Sequence, residues 1–308
     1  MKPEILLIEP MMAEIEDALR SAYIVHPYDG AADPTQYAKS IRGIATGGGT
    51  GVPRAVMDSL PALEIIAING IGTDAVDLKE AARRSIAVTT TPGVLTDDVA
   101  DLALAFILAA MRDLVAGDRF VRDGQWGKGT LPLAHTASGR RLGILGMGQV
   151  GRAVARRARG FDMSIAYHDL KDFGIEGAEY VGSLLELARQ SEILVIAASG
   201  GPQSRHIVNR EVMEALGPQG LLVNVARGSV VDENALVEAL RDGVLGKAAL
   251  DVFEHEPNVP PALWSMGNTV LQPHRASATV ETRLRMGRLV VDNLAAHFTG
   301  QPLLTPVR

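Results

Sequence analysis

Short apolar runs alternate with helix-like segments in the first third of the chain. The helix-like segments include residues 12–21 and 76–84. The apolar runs that we interpret as strands are residues 4–8, 23–26, 43–46, 64–68 and 86–89. Because strands that alternate with helices are joined by crossover connections, the pattern predicts a parallel sheet covered by helices.

The same alternation resumes in the second half of the chain. Helices are predicted at 183–190, 209–216 and 233–241. The six predicted strands begin near Leu142 and are residues 142–145, 163–167, 193–197, 221–225, 248–252 and 269–271. A complete doubly wound dinucleotide-binding domain also has six strands.

Two long helical patterns flank this second sheet. One begins near residue 97 and continues toward Phe120, and the other covers 280–298. We expect the last helix to return to the first sheet. The predicted fold is therefore α/β, with two Rossmann-like or flavodoxin-like domains: a substrate domain of residues 1–96 and 280–308, and an inserted nucleotide-binding domain of residues 97–279.

Composition excludes several classes of protein. The chain has 308 residues, 47% of them apolar, which is enough for two conventional cores. A net charge of −6 argues against nucleic acid or an anionic membrane as a partner. There is no cysteine, no signal-like amino terminus and no histidine spacing typical of a metal site, so we expect a cytoplasmic protein without a bound metal.

A glycine-rich turn joins the first strand of the second sheet to a helix. Gly146, Gly148 and Gly151 have the Gly-x-Gly-x-x-Gly spacing, which permits a tight turn, close approach of a pyrophosphate and close helix packing. The backbone N–H groups that follow, at Gln149 and Val150, would face the phosphates. Asp169, after the next strand, has the spacing expected of the acid that accepts from an adenosine ribose.

Ionisable residues gather in three later stretches, at 224–228, 250–257 and 272–279, each near the end of a predicted strand. Reduction of a 2-oxo acid needs a cation for the carboxylate, an acid for the carbonyl oxygen and a group that keeps this acid charged. Arginine, histidine and glutamate can supply these roles.

The sequence resembles the D-isomer-specific 2-hydroxyacid dehydrogenase family, especially its glyoxylate/hydroxypyruvate and hydroxyphenylpyruvate reductase branch. The resemblance covers essentially the whole chain, through motifs at 46–51, 69–74, 91–101 and 143–151. It implies that Arg227 binds and orients the substrate, that His274 is the general acid/base, and that Glu256 hydrogen-bonds the imidazole and keeps it protonated.

The resemblance also implies further contacts. Trp126 would reach into the active site of a neighbouring subunit, which predicts a homodimer. The substrate would bind at Gly48, Ile71 and Gly72, besides Arg227 and Trp126. The cofactor would bind at Thr96, Ala226 and Asp251, with Asp251 on the nicotinamide carboxamide.

Two positions depart from the family pattern. Relatives that use NADP usually carry an arginine where Leu170 stands, so Asp169 favours NAD; Lys171 is nevertheless within reach of a phosphate, which leaves NAD or NADP open. Arg275 follows the catalytic histidine, where many relatives have an uncharged residue, and we expect it to face solvent.

The sequence thus predicts an oxidoreductase that reduces glyoxylate or hydroxypyruvate with NAD(P)H. Phenylpyruvate or hydroxyphenylpyruvate is the alternative substrate class for the same site. A dinucleotide-sensing binding protein without catalysis is an alternative from a different class, because the fold alone does not imply function. Such a sensor would not need Arg227, Glu256 and His274, which are all present.

Overall fold

The computed structural model describes residues 2–28, Gly30 and 38–307. The chain divides into two compact units. Unit 1 consists of Met1–Leu95 and Ser277–Arg308, and unit 2 of Thr96–Ala276. Each unit has its own parallel sheet, so the predicted fold class is confirmed.

Unit 1 is built on a five-stranded sheet whose neighbouring strands are all parallel. The strands are β1 Glu4–Leu7, β2 Ile24–Pro27, β3 Ile41–Gly47, β4 Ile65–Asn69 and β5 Ala87–Thr89. Their order, β2-β1-β3-β4-β5, is that of flavodoxin-like sheets. The helices that follow these strands are α1 Ala13–Ala22, α2 Arg54–Ser59 and α3 Leu78–Arg83.

Unit 2 contains a seven-stranded parallel sheet, one strand more than the sequence pattern predicts. The strands are β6 Arg141–Leu145, β7 Ser164–His168, β8 Glu179–Tyr180, β9 Ile193–Ile196, β10 Leu221–Asn224, β11 Lys247–Leu250 and β12 Thr269–Leu271. The order is β12-β11-β10-β9-β6-β7-β8, so the topological reversal lies at β6 and β9. The additional strand, β8, has only two residues and lies at the edge, which is too short to produce a periodic pattern.

The helices of unit 2 differ from the sequence-based prediction at one place. They are α4 Thr96–Met111, α5 Leu114–Arg122, α6 Gln149–Ala158, α7 Leu184–Gln190, α8 Arg210–Leu216, α9 Glu233–Arg241 and α10 Pro261–Trp264. The single helix predicted from residue 97 to Phe120 is wrong, because Asp113 adopts a left-handed conformation with φ 50° and separates α4 from α5. The carboxylate of Asp113 contacts the ammonium of Lys247 at the start of β11.

The last helix, α11 Val280–Phe298, belongs to unit 1. Its residues Val290 and Leu294 join a buried cluster with Ile15 and Leu19 of α1. A Cβ at Gly287 would lie 2.5 Å from the Ile15 side chain, so glycine allows the two helices to approach closely. No helix in the described part of the chain is both long and apolar enough to cross a membrane.

Candidate active site

The glycine turn after β6 requires glycine for two different reasons. Gly146 has φ +94°, and a Cβ there would lie 2.6 Å from Cα of Ala198 on the turn after β9. A Cβ at Gly151 would lie 2.1 Å from the carbonyl oxygen of Gly146, so α6 can begin directly against the turn only with glycine. The backbone path of the turn is therefore fixed by steric exclusion.

The amino terminus of α6 leaves room for a ligand. Gly148 caps this helix without a side-chain hydrogen bond, and its missing Cβ points into a space with no described atom within 4 Å. The first N–H groups of the helix, at Gln149, Val150 and Gly151, have no carbonyl partner within the helix. Donors at a helix start beside open space fit a dinucleotide pyrophosphate. Thr96, at the start of α4, lies 3.3 Å from Oε1 of Gln149 through its hydroxyl.

Asp169 follows β7 and faces the glycine turn. Its Oδ2 accepts the N–H of Met147 at 2.7 Å, and its Oδ1 accepts the N–H of Leu170 at 2.7 Å. The side chain remains partly exposed. The preceding His168 is turned toward the sheet, since its Nδ1 lies 2.8 Å from the carbonyl oxygen of Val181. Asp169 is therefore the carboxylate next to the glycine turn.

Arg227 lies on a tight turn after β10. Buried Asn224 holds this turn: its Oδ1 accepts the N–H of Ala226 at 3.1 Å, and its Nδ2 donates to the carbonyl of Arg227 at 3.0 Å. The guanidinium donates to the carbonyl oxygen of Ala226 at 2.7 Å. An asparagine that satisfies its own turn is a common way to end a strand, and here it fixes the backbone that carries the guanidinium.

Gly228 brings this turn against the segment that carries Glu256. A Cβ at Gly228 would lie only 1.9 Å from the carbonyl carbon of Phe253, so the two backbones are in direct contact. The N–H of Phe253 in turn donates to Oε1 of Glu256 at 3.0 Å. The Arg227 turn and the Glu256 carboxylate are therefore positioned by the same short piece of backbone.

Asp251, directly after β11, holds the segment that carries His274. Its side chain is 1% exposed, and its two oxygens accept the N–H groups of Arg275 at 2.7 Å and Ala276 at 2.9 Å. Burial raises the pKa of the Asp251 carboxyl, although these two hydrogen bonds oppose the shift. His274 itself donates its N–H to the Asp251 carbonyl at 2.7 Å and has φ 52°. A histidine in this conformation is strained, and the Asp251 contacts maintain it.

Glu256 and His274 form a direct hydrogen bond. Nδ1 of His274 lies 2.6 Å from Oε2 of Glu256. Burial alone would raise the pKa of the Glu256 carboxyl, but hydrogen bonds from His274 and Phe253 and the nearby charge of Arg227 lower it. The ionised carboxylate fixes the proton on Nδ1, so Nε2 is the ring nitrogen available to a substrate. Arg275, beside the histidine, is exposed as expected.

The predicted substrate loops of unit 1 contact each other through their backbones. A Cβ at Gly70 would lie 3.1 Å from Cα of Gly48, and a Cβ at Gly48 would lie 3.4 Å from the Gly72 carbonyl oxygen. Gly72 is buried, whereas Ile71 is 41% exposed. The glycines of both loops are thus needed for close packing at the ends of β3 and β4.

Within unit 2, Glu256 and His274 are hydrogen-bonded to each other close to Arg227. Asp169 contacts the glycine turn and Thr96 contacts the start of α6. The predicted substrate residues Gly48, Ile71 and Gly72 belong to unit 1.

The sequence reasoning missed Asn224 and Gly228, which position Arg227, and the N–H of Phe253, which binds Glu256. The signal that could have predicted the Arg227 turn was the asparagine at the end of a predicted strand, Asn224, followed four residues later by Gly228. No group of three or more His, Cys, Asp or Glu side chains among the described residues is arranged to hold a metal ion.

Comparisons with known proteins all indicate one family. The family model for "D-isomer specific 2-hydroxyacid dehydrogenase, NAD binding domain" matches residues 104–276. The 2-ketogluconate reductase of Gluconobacter oxydans (strain 621H) is 47% identical over 306 residues, covering 99% of each chain. The hydroxyphenylpyruvate reductase of Plectranthus scutellarioides is 46% identical over 309 residues, covering 98% of each.

A solved structure of a relative superposes on this chain over its full length. The NADPH-dependent glyoxylate/hydroxypyruvate reductase of Sinorhizobium meliloti, in complex with NADP and malonate, superposes with a TM-score of 0.94 at 41% identity, covering 100% of this chain and 97% of that one. The match to the family model and to these relatives shows that the protein belongs to the D-isomer specific 2-hydroxyacid dehydrogenase family and is an NAD(P)-dependent dehydrogenase.

Proposed function

We propose that this enzyme reduces glyoxylate or hydroxypyruvate to the corresponding 2-hydroxy acid, with His274 as the general acid. The observation that carries the proposal is the 2.6 Å hydrogen bond between Glu256 and His274, close to the charge of Arg227. This set supplies the acid, its carboxylate partner and the cation that reduction of a 2-oxo acid requires. The similarity to the glyoxylate/hydroxypyruvate reductase of Sinorhizobium meliloti supports the small substrate.

The reaction balances with one hydride and one proton. A nicotinamide cofactor, when bound, would supply the hydride for C2 of the substrate. Nε2 of His274 gives its proton to the carbonyl oxygen, which becomes the hydroxyl, and the imidazole is left neutral. The Glu256 carboxylate stabilises the imidazolium before this transfer and maintains the tautomer after it. Hydroxypyruvate gives a D-2-hydroxy acid, whereas glycolate from glyoxylate is not chiral.

Arg227 is assigned to the substrate carboxylate and carbonyl oxygen. A guanidinium presents two parallel N–H donors, which matches the planar carboxylate better than an ammonium does. The Asn224 turn and the Gly228 contact restrict its backbone, which reduces the entropy lost on binding. The N–H groups at Ile71 and Gly72 are the proposed second contact for the carboxylate.

The remaining predicted residues are assigned to the cofactor. Gly146 to Gly151 would bind the pyrophosphate, and Asp169 would accept from the ribose hydroxyls of NADH. The Asp251 carboxylate already holds the His274 segment through two backbone donors. A nicotinamide carboxamide would be an additional donor to the same oxygens, which have lone pairs left for it. Thr96 and Ala226 are assigned to the same cofactor.

We also propose a homodimer formed through α5 and the segment after it. Helix α5 has no buried residue, and Trp126 and Leu133 are 80% and 96% exposed. The other large apolar side chains exposed in residues 114–133 are Leu114, Val115, Val121 and Leu131. So many exposed apolar side chains in one segment are characteristic of an interface face, and a second copy of the chain is the occupant we propose. Trp126 would then contact the substrate site of the partner.

Two relatives make larger substrates worth testing. The hydroxyphenylpyruvate reductase of Plectranthus scutellarioides and the 2-ketogluconate reductase of Gluconobacter oxydans are at least as similar in sequence as the glyoxylate/hydroxypyruvate reductase. Both names denote reduction of a 2-oxo acid with a longer side chain. The same Arg227, Glu256 and His274 chemistry would serve these substrates, so only the pocket around the side chain would differ.

The test is the oxidation of NADH and NADPH, followed at 340 nm, with a panel of 2-oxo acids. The panel is glyoxylate, hydroxypyruvate, pyruvate, hydroxyphenylpyruvate and 2-ketogluconate. We expect the highest kcat/KM with glyoxylate or hydroxypyruvate. A higher value with hydroxyphenylpyruvate or 2-ketogluconate would contradict the small-substrate proposal. A lack of turnover with the whole panel would contradict the proposed reaction and favour a binding protein.

A further inference from the structure

Two cationic side chains converge on one aromatic ring beside the glycine turn. Cζ of Arg152, on α6, lies 5.3 Å from the centroid of the Phe173 ring, and Nζ of Lys171 lies 5.3 Å from the same centroid. The phenyl ring is 37% exposed, and both cations are exposed. The face of an aromatic ring attracts a cation, but two cations near one ring repel each other. An anion bound between them would offset this repulsion.

The ring is held in place by the end of β7. Buried Tyr167 donates its hydroxyl to Asp172 and accepts the N–H of Phe173 at 2.9 Å. Asp172 also accepts the N–H of Gly174 at 2.8 Å. The segment after β7 is therefore anchored on both sides of Phe173, and the ring gives Arg152 and Lys171 a fixed platform.

Arg152 differs from the other arginines on α6. Arg156 and Arg157 both pair with Asp97 on α4, at 3.0 and 2.9 Å. Throughout residues 2–28 and 38–307, by contrast, neither Arg152 nor Lys171 forms an ion pair with a carboxylate. The two cations are thus available to an anion from solution.

The position of Arg152 and Lys171 relative to Asp169 indicates which anion they bind. Met147, in the glycine turn, donates its N–H to Asp169 at 2.7 Å and accepts Nε of Arg152 at 3.0 Å through its carbonyl. One residue therefore connects the ribose-binding carboxylate to the cation. Because both Asp169 oxygens also accept a backbone N–H, its negative charge is partly compensated at the place where it would repel a phosphate.

We propose that Arg152 and Lys171 bind the 2′-phosphate of NADP(H), so that this enzyme accepts both cofactors: NADH through Asp169 and NADPH through the two cations. The inference rests on the proposed dinucleotide site at the glycine turn. Leu170, between Asp169 and Lys171, is uncharged, so the positive charges of this site come from α6 and from the residue after Leu170. The guanidinium of Arg152 binds two phosphate oxygens, and Lys171 adds a point charge.

The experiment compares the dissociation constants of NADPH and NADH for the full-length protein and its variants, by quenching of tryptophan fluorescence. Arg152→Gln/Lys171→Gln should weaken NADPH binding about 10- to 100-fold and leave NADH binding within about twofold, since each charge-assisted hydrogen bond contributes substantially to affinity. The matched control is Arg156→Gln, on the same helix, which should change neither constant. Equal loss of NADPH and NADH affinity in the double variant, or no loss of either, would overturn the inference.

A second measurement needs neither substrate nor catalysis. Calorimetric titration with adenosine 2′,5′-bisphosphate and with adenosine 5′-phosphate isolates the 2′-phosphate. The wild-type protein should bind the bisphosphate more tightly, and the double variant should lose this preference while its melting temperature stays unchanged. If the wild type shows no preference, the inference fails even when NADH reduces the 2-oxo acids. If the preference is present and no 2-oxo acid is reduced, only the proposed reaction fails.

Discussion

Nδ1 of His274 lies 2.6 Å from a carboxylate oxygen of Glu256, although the two residues are 18 positions apart in the chain. Each partner is held separately: the N–H of Phe253 binds the other oxygen of Glu256, and the buried Asp251 binds the backbone after His274. The pair is therefore preorganised, as the proposed proton transfer requires.

Replacement of the histidine should separate chemistry from cofactor binding. His274→Asn removes the proton donor, so kcat for 2-oxo acid reduction should fall about 10²- to 10⁴-fold. The dissociation constant of NADH, measured by fluorescence titration, should stay unchanged. His255→Asn is the matched control, because His255 is exposed, and its kcat should equal that of the wild type. A His274→Asn variant with wild-type turnover would exclude the acid role.

The Glu256–His274 pair should determine the pH dependence of reduction. The pKa of Glu256 lies below its ordinary value of 4.5, so the carboxylate is charged at neutral pH and its effect is lost only as the pH falls through that lowered value. Glu256→Gln removes the charge at every pH. Since an amide is uncharged at every pH, kcat/KM of this variant should be lower than that of the wild type at neutral pH, and the loss of activity that follows protonation of Glu256 at low pH should be absent.

The measurement is the pH profile of kcat/KM for the wild type and Glu256→Gln. Glu254→Gln serves as the comparison, because the Glu254 carboxylate contacts Arg205 and His206 instead of His274. Superimposable profiles for wild type and Glu256→Gln would show that the carboxylate does not act on the proton donor.

The shape of the Arg227 side chain should matter as much as its charge. Arg227→Lys keeps a positive charge but loses the planar fork, so KM for the 2-oxo acid should rise and kcat/KM should fall about 100-fold. NADH affinity should be unaffected. Steady-state kinetics with glyoxylate and fluorescence titration with NADH measure the two effects. Equal kcat/KM for the lysine variant and the wild type would argue against bidentate binding.

Substitution by alanine at two glycines of unit 2 should affect two different properties, stability at Gly228 and NADH affinity at Gly148. Gly228→Ala places a methyl group where the Phe253 carbonyl carbon would be 1.9 Å away, so it should lower the free energy of unfolding by about 3 kcal/mol. Gly148→Ala places a methyl group in open space, so the melting temperature should not change while NADH affinity decreases. Calorimetry and fluorescence titration test the pair. Equal melting temperatures for both variants would contradict the assigned steric contact.

The proposed dimer has its own test. Leu133→Asp introduces a charge into the exposed apolar face, so sedimentation velocity should show monomers at concentrations where the wild type is dimeric. Trp126→Ala should remain dimeric but lose kcat/KM for the 2-oxo acid. Leu170→Asp, at an apolar side chain of unit 2 that is 92% exposed and outside this face, is the control and should stay dimeric. A monomeric wild type would overturn the proposal.

The sequence alone determined the fold class, because buried parallel strands and amphipathic helices leave periodic patterns that each segment carries independently. Helices α9 and α11 and strand β12 begin and end at the predicted residues. The break at Asp113 was missed, because no glycine or proline marks it and its left-handed conformation occurs where a carboxylate meets Lys247, far away in the sequence. The two-residue strand β8 exists only because the edge of β7 is there to pair with it.

The residue types of the candidate site were also readable from the sequence, since Arg227, Glu256 and His274 occur in motifs that the fold does not require. Only the tertiary structure decided what holds them: the contact of Gly228 with Phe253, the Asp251 carboxylate under the His274 segment, and the Asn224 turn. It likewise decided that Arg152 and Lys171 share the Phe173 ring. These relationships join residues from different strand ends and loops, and their distances depend on sheet register and packing, which no local pattern encodes.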